Sequence, residues 1–217
     1  MKGCEKADSI SFNPHKGLGT PSQTCLLMVN NKKNALRKAN TSGADYLFHE
    51  TEYSKYDIGD KTLSCGRRPD GLKLWLSAKR HGIDGFKKIA DAAYDKTMYI
   101  TQLIREQPEK FEMVNEPLGA NTCFWYTPPY FRKGAAGEGA YTDEMKAKTH
   151  MLIFEKMQQE GKLLIQHNPL PEYNLPNFFR LTLKGEKSRM EDMPYLLDEI
   201  DRMGQDITAD ILKNFSP

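Results

Sequence analysis

The residues with chemistry to offer begin at Asn13-Pro14-His15-Lys16. A lysine amine taken out of water loses its charge more readily, and the free amine attacks aldehydes to form an imine. The run before it, Ala7 to Phe12, alternates Ile10 and Phe12 with polar residues, as a half-buried strand does. Pro14 cannot donate to a sheet ladder and ends that strand. Gly17-Leu18-Gly19-Thr20-Pro21 then lets backbone pass close to a bulky group. The same tetrapeptide also suits a turn lysine that stays in water. Far along the chain, strand alternation sets Phe178, Arg180 and Thr182 on one face and Phe179, Leu181 and Leu183 on the other. A planar guanidinium among aromatics suits bidentate capture of a carboxylate. An edge-strand arginine in water is the alternative.

These groups need elements to hold them. Thr24 to Val29 reads as a second strand, followed by the polar turn Asn30-Asn31-Lys32-Lys33-Asn34. Residues 40–70 show no sustained period and read as a long loop, of the kind that forms lids or binding loops. Asp70 caps a helix with apolar positions Leu72, Trp75 and Leu76. Beyond Gly82 and Gly85 a longer helix, carrying Ile89, Ala93, Ile100 and Ile104, runs to Pro108 as a hinge between two domains. From Phe111 the pattern becomes α+β. Strands are predicted at Phe111–Val114, Asn121–Thr127, Leu163–Gln166 and Asn177–Lys184. Thr142 caps a helix that places Met145, Leu152, Ile153 and Met157 inward and ends at Gly161. A last helix carries Met193, Leu196, Leu197, Ile200, Met203, Ile207 and Ile211 on one stripe. Its start stays open, because Ser188 and Glu191 make a capping box while Pro194 would then lie inside the helix.

The 217 residues suffice for one large domain or two smaller ones. Lys+Arg 31 against Asp+Glu 29 leaves +2, too balanced for a nucleic-acid or membrane surface. The longest apolar run, Cys25 to Val29, is far too short to span a bilayer. Met1 to Lys6 lack the apolar stretch expected of a secretion signal. Cys4, Cys25, Cys65 and Cys123 form neither a metal-type pair nor a disulfide framework, so a reduced, cytosolic protein is predicted, with no metal. Gly134 to Gly139 has the wrong glycine order for a dinucleotide loop. A strand signal this near Met1, with nothing before it to pack against, predicts an element from the middle of a larger fold.

Several segments follow one another in order: Asn13-Pro14-His15-Lys16, Ala44-Asp45-Tyr46-Leu47-Phe48, Gly59-Asp60-Lys61, Cys65-Gly66-Arg67-Arg68 with Asp70, Lys73-Leu74-Trp75-Leu76, Cys123-Phe124-Trp125-Tyr126 with Pro128, and Asn177-Phe178-Phe179-Arg180. The series resembles the carboxyl-terminal half of the pyridoxal-phosphate-dependent group II amino acid decarboxylases, and most of all their glutamate and cysteine sulfinate branch. The likeness covers essentially the whole chain. It implies an α/β, fold type I architecture: residues 1–108 as the end of the large cofactor-binding domain and 109–217 as a small C-terminal α+β domain.

In that family the lysine matching Lys16 holds pyridoxal 5'-phosphate as an internal aldimine. The cofactor ring then takes up the electrons left as carbon dioxide departs. The resemblance makes Asn13 a phosphate ligand, His15 a close neighbour of cofactor and substrate, and Arg180 the seat of the substrate's alpha-carboxylate; for His15 a turn histidine bonded to backbone is the alternative. It also makes the stretch between Phe48 and Gly59 a mobile loop that closes over the partner subunit's site and can carry a proton-donating tyrosine. Tyr53 is the nearest candidate in a shortened loop, where an ordinary exposed tyrosine fits equally well. Cys65, Arg67 and Arg68 read as structural residues near the domain junction.

The family's ring-stacking residues, the acidic partner of the pyridine nitrogen and most of the phosphate cup lie in the amino-terminal half, which nothing here matches. The implied reading is half of an L-amino-acid decarboxylase, inactive alone and working as a homodimer or with a companion amino-terminal half. Glutamate, cysteine sulfinate or aspartate is the implied substrate. A non-catalytic truncated subunit that binds full-length partners is the alternative. The uncovered core face predicts poor solubility or self-association.

Overall fold

The computed structural model of the chain describes residues 2–30, 34–64, 66, 68–184 and 188–216. Asn31, Lys32 and Lys33 of the expected polar turn, and Cys65 and Arg67, lie outside them. Two compact units divide the chain, Met1–Phe86 and Lys87–Pro217.

In the first unit, β1 (Ser9–Phe12) pairs antiparallel with β2 (Leu26–Val29), Ser9 opposite Val29 and Phe12 opposite Leu26. Between them Pro14–Gly17 forms a single helical turn, α1. Helix α2 (Ala35–Asn40) stands where the sequence offered only the edge of a loop; six residues are too few to show a helical period. Residues 41–69 are the expected irregular stretch, broken by 3-10 turns at Ser54–Tyr56 and Gly59–Lys61. Helix α3 (Asp70–Arg105) crosses the unit boundary and breaks at Gly82, whose φ of 62° and ψ of −172° are not helical. Gly85, also expected as a break, is helical. Among the described residues before Ile89, only Pro14, Thr20, Thr24 and Asp60 are buried, and none of these is a large aliphatic or aromatic side chain. Leu27, Met28, Leu72, Trp75 and Leu76 are all at least half exposed.

The second unit holds the core. Strands β3 (Phe111–Met113), β4 (Asn121–Tyr126), β5 (Gln166–Leu170) and β6 (Leu175–Thr182) form an antiparallel sheet in the order β3-β4-β6-β5. The later half of α3, with α4 (Asp143–Glu160), α5 (Asp192–Gly204) and α6 (Ala209–Asn214), packs Ile100, Ile104, Ile153, Met157, Leu197, Ile200 and Leu212 against Phe124, Tyr126 and Phe179. Helix α4 begins as expected: the Thr142 hydroxyl accepts from Met145 N at 3.3 Å, and Gly161 takes the left-handed position after it.

Three expectations are corrected here. Strand β5 runs Gln166–Leu170 rather than from Leu163. It is the edge strand, which tolerates Pro169, and its register slips between Asn168 and Leu170. The last helix is two helices, since Thr208 caps α6 through Ile211 N, so Leu212 is buried and Ile211 is 41% exposed. The Ser188 capping box does not open α5. Asp192 Oδ2 instead accepts from Arg189 N at 2.7 Å, and Pro194 falls in the first turn, where no intrahelical N–H bond is lost. Glycine is required at 204: a Cβ there would come within 2.2 Å of Tyr126 Cε1.

His150 is fully buried against the Phe179 ring, with centroids 4.6 Å apart. Its Nδ1 lies 2.6 Å from the Lys146 carbonyl, and its Nε2 accepts from Tyr126 N at 3.1 Å. A carbonyl only accepts, so Nδ1 carries the proton and the ring is neutral. Burial lowers its pKa to about 4. A folded pKa below the ordinary value means the unfolded chain takes the proton first. This stabilisation is complete above about pH 6.5 and is lost as pH falls towards 4. Urea denaturation should lose about 2 kcal/mol between pH 7.5 and pH 5. An unfolding free energy that stays flat over that range would contradict the neutral, buried ring.

Candidate functional site

The lysine turn hangs from the mouth of the β1–β2 hairpin. Pro14 takes the first helical position of α1, where its missing N–H costs nothing, and is buried. The Asn13 carbonyl accepts from Lys16 N at 2.9 Å, while the Asn13 side chain makes no capping bond. His15 Nδ1 lies 2.5 Å from the carbonyl of Thr24, the buried residue leading into β2. A carbonyl only accepts, so Nδ1 is the donor in this bond, and Nε2 is the ring nitrogen left over. Thr24 is fixed in turn by its hydroxyl, which donates to the Pro21 carbonyl at 2.8 Å. The histidine is thus bonded to backbone across the turn, through a residue that no local pattern links to it.

Lys16 is exposed, and its amine has no hydrogen-bond or ion-pair partner among the described residues. The desolvation expected of it is not supplied by these residues, because the hairpin beside it leaves Leu27 57% and Met28 50% exposed. Gly19, at φ 68°, turns the chain in the left-handed region that favours glycine. One residue on, Thr20 is buried, and its hydroxyl has no partner among the described residues. A buried hydroxyl left over in this loop is a group a ligand can use.

Tyr53 precedes the 3-10 turn Ser54–Tyr56 and is 68% exposed. Its backbone is set by Thr51, whose hydroxyl accepts from Tyr53 N at 3.2 Å.

Arg180 belongs to the second unit. The alternation read from the sequence is present in β6: Phe179, Leu181 and Leu183 are buried in the core, whereas Arg180 and Thr182 are exposed. On the outward face Phe178 meets Trp125 edge-on, with centroids 6.4 Å apart and planes at 88°. Arg180 stands opposite Cys123 on β4 and Gln166 on β5, two neighbours that register alone decides. Burial pushes the Cys123 thiol up, partly offset by Arg180, so the thiol stays protonated at neutral pH and is a poor nucleophile. No ion pair engages the Arg180 guanidinium among the described residues. Residues Asn13, His15, Lys16 and Tyr53 lie in the first unit and Arg180 in the second.

Residues 1–127 match the family described as the pyridoxal-dependent decarboxylase conserved domain. The chain is 36% identical over 212 residues to the acidic amino acid decarboxylase of Bos taurus, covering 95% of this chain and 39% of that protein. It is 35% identical over 211 residues to human cysteine sulfinic acid decarboxylase, covering 95% of this chain and 41% of that one. It thus spans about two fifths of the length of these relatives. Mouse CSAD in apo form superposes with a TM-score of 0.83 at 32% identity, over 95% of this chain and 42% of that one. Oryza sativa TDC, solved with PLP and tryptamine, shares the fold at a TM-score of 0.77 and 22% identity, over 94% of this chain and 40% of that one. The α/β, fold type I expectation is borne out by these matches, as is the cofactor class. With a lysine turn of this shape and these likenesses over nearly its whole length, the chain belongs to the pyridoxal-dependent decarboxylase family.

Proposed function

We propose that this chain supplies one part of the active site of an acidic amino acid decarboxylase acting on glutamate, cysteine sulfinate or aspartate. Residues 1–108 would be the end of the large domain and 109–217 the small one. The observation that carries the reading is the unengaged Lys16 amine on a turn pinned by the His15–Thr24 bond. The residues present fit pyridoxal phosphate: Lys16 offers an amine for its aldehyde, and Asn13 and the partnerless Thr20 hydroxyl offer polar groups for its phosphate. When bound, that cofactor supplies an aldehyde for the substrate amine and an electron sink for the carbon that loses carbon dioxide.

The chain's own side chains do the rest. His15, with its Nδ1 proton committed to Thr24, presents Nε2 beside the lysine. Arg180 binds the substrate's alpha-carboxylate through its two-pronged guanidinium. Tyr53, on the loop between Phe48 and Gly59, returns a proton to the alpha carbon. Groups that keep the pyridine nitrogen protonated have no counterpart in this chain, so the 217 residues alone are expected to be inactive or nearly so. The assay is carbon dioxide release from each of the three amino acids with pyridoxal phosphate added. Turnover in the usual enzyme range, roughly 1 to 1,000 per second, would sink the claim that the site is shared with further polypeptide.

A second reading is a non-catalytic subunit that associates with a full-length or companion chain. It is favoured by the first unit, where none of the described large apolar side chains is buried.

A further inference from the structure

The geometry points to Arg37 as the positioning residue that clamps the base of the loop carrying Tyr53. The clamp stands on its own contacts and rests on the reading above only for what the loop does. Arg37 lies on α2, just before the loop, and Asp60 lies on the 3-10 turn just after it. Arg37 Nε donates to Asp60 Oδ2 at 2.5 Å, and its terminal nitrogen lies 3.8 Å from Glu50 Oε1 within the loop. One guanidinium thus joins α2 to the first residues of the loop and to the turn that follows it. Asn40 repeats the link one helical turn further on, its Nδ2 donating to the carbonyls of Leu36 at 2.9 Å and Lys61 at 3.3 Å.

The Asp60 side chain is 10% exposed, and the Thr41 hydroxyl, ahead of Arg37, holds its carboxyl below the ordinary carboxylate range. A carboxylate so placed is costly to leave without its cation. The loop's other ties are exposed: Lys61 Nζ donates to the Lys55 carbonyl at 2.9 Å, and the Ser54 hydroxyl donates to the His49 carbonyl at 3.0 Å. A cavity of about 470 Å3 lies beside it, lined by Val29, Leu36, Phe48, Glu50, Lys55 and Asp57. Tyr53, Tyr56 and Ile58 are all more than half exposed. With no core beneath the loop, an ion pair at its neck decides where its tip is presented.

Amide hydrogen exchange of the whole 217-residue chain tests this. The readout is the amides of Ser54, Tyr56 and Asp57, which bond within the loop, with those of Leu47 and Phe48, which bond to the Ala44 carbonyl just before it. Arg37→Ala and the isosteric Asp60→Asn should each speed their exchange on the order of tenfold. The double variant should add little to either single one, because both remove the same pair. Amides of Thr97 to Ile104 in the second unit serve as the internal reference and should not move. Exchange that stays within about twofold of the parent, additive effects, or an equal rise in both units would each overturn the clamp. Labelling of Lys16 by pyridoxal phosphate is read separately. Should that labelling fail while the loop responds as stated, the clamp stands and the assigned chemistry falls.

Discussion

Reduction with borohydride after incubation with pyridoxal phosphate should fix the cofactor on Lys16, and Lys16→Ala should lower incorporation about tenfold or more. The chain carries many lysines, and most exposed ones form transient imines with any aldehyde. Selectivity must come from surroundings that hold one imine longer than the rest. Here the surroundings are the pinned His15 ring, the Asn13 side chain and the partnerless Thr20 hydroxyl. Peptide mapping reads the result directly, and Lys133→Ala, at an exposed site in the second unit, serves as the control. Labelling spread evenly over surface lysines, or unchanged in Lys16→Ala, would show that the turn is not a cofactor seat. Because Lys16 is exposed and its side chain makes no bond among the described residues, alanine there should leave the fold intact.

The second large effect concerns stability. Asp201 on α5 gathers three donors: Arg132 onto Oδ1, Lys110 onto Oδ2 at 3.1 Å, and the Tyr126 hydroxyl onto Oδ1 at 2.9 Å. Burial alone would raise its pKa, but hydrogen bonds from Arg132, Lys110 and Tyr126 outweigh it and hold the carboxyl below its ordinary range. Asp201→Ala leaves two cations and a phenol facing one another, with only 17% of the Arg132 and 26% of the Lys110 side chain exposed. Removing one partner from a cluster this dry should cost about 2–4 kcal/mol, read as a shift in the urea midpoint. Loss of less than about 0.5 kcal/mol would place the cluster with ordinary surface pairs. The pH dependence follows from the sign of the shift. With a depressed folded pKa, Asp201 contributes in full above the ordinary aspartate range, and that contribution is lost as pH falls below it.

Both effects sit on residues that differ in how far the sequence reveals them. Lys16, His15 and Asn13 are adjacent, so a strand pattern, a proline stop and a glycine turn announce them within a dozen residues. Asp201, Arg132, Lys110 and Tyr126 are spread over more than ninety positions and nothing local joins them. The same contrast holds for Arg180. Its face was legible from the two-residue period of β6, whereas its neighbours Cys123 and Gln166 come from two other strands and depend on register. The single-turn helix around Lys16, in place of a plain loop, was not legible because four residues carry no period.

What the chain's order of residues settled unaided was therefore whatever a few neighbouring positions can impose. That includes the Thr142 and Gly161 ends of α4, the break at Gly82, the inward face of the later half of α3, and the turn that offers Lys16. Tertiary structure alone decided the partners: Thr24 for His15, Asp60 for Arg37, Tyr126 N for His150, and the three donors around Asp201. The physical reason is that caps and periods act through dihedral preferences and hydrogen bonds within a turn or two. A buried charge or imidazole, by contrast, takes its protonation state from whatever the folded chain brings against it.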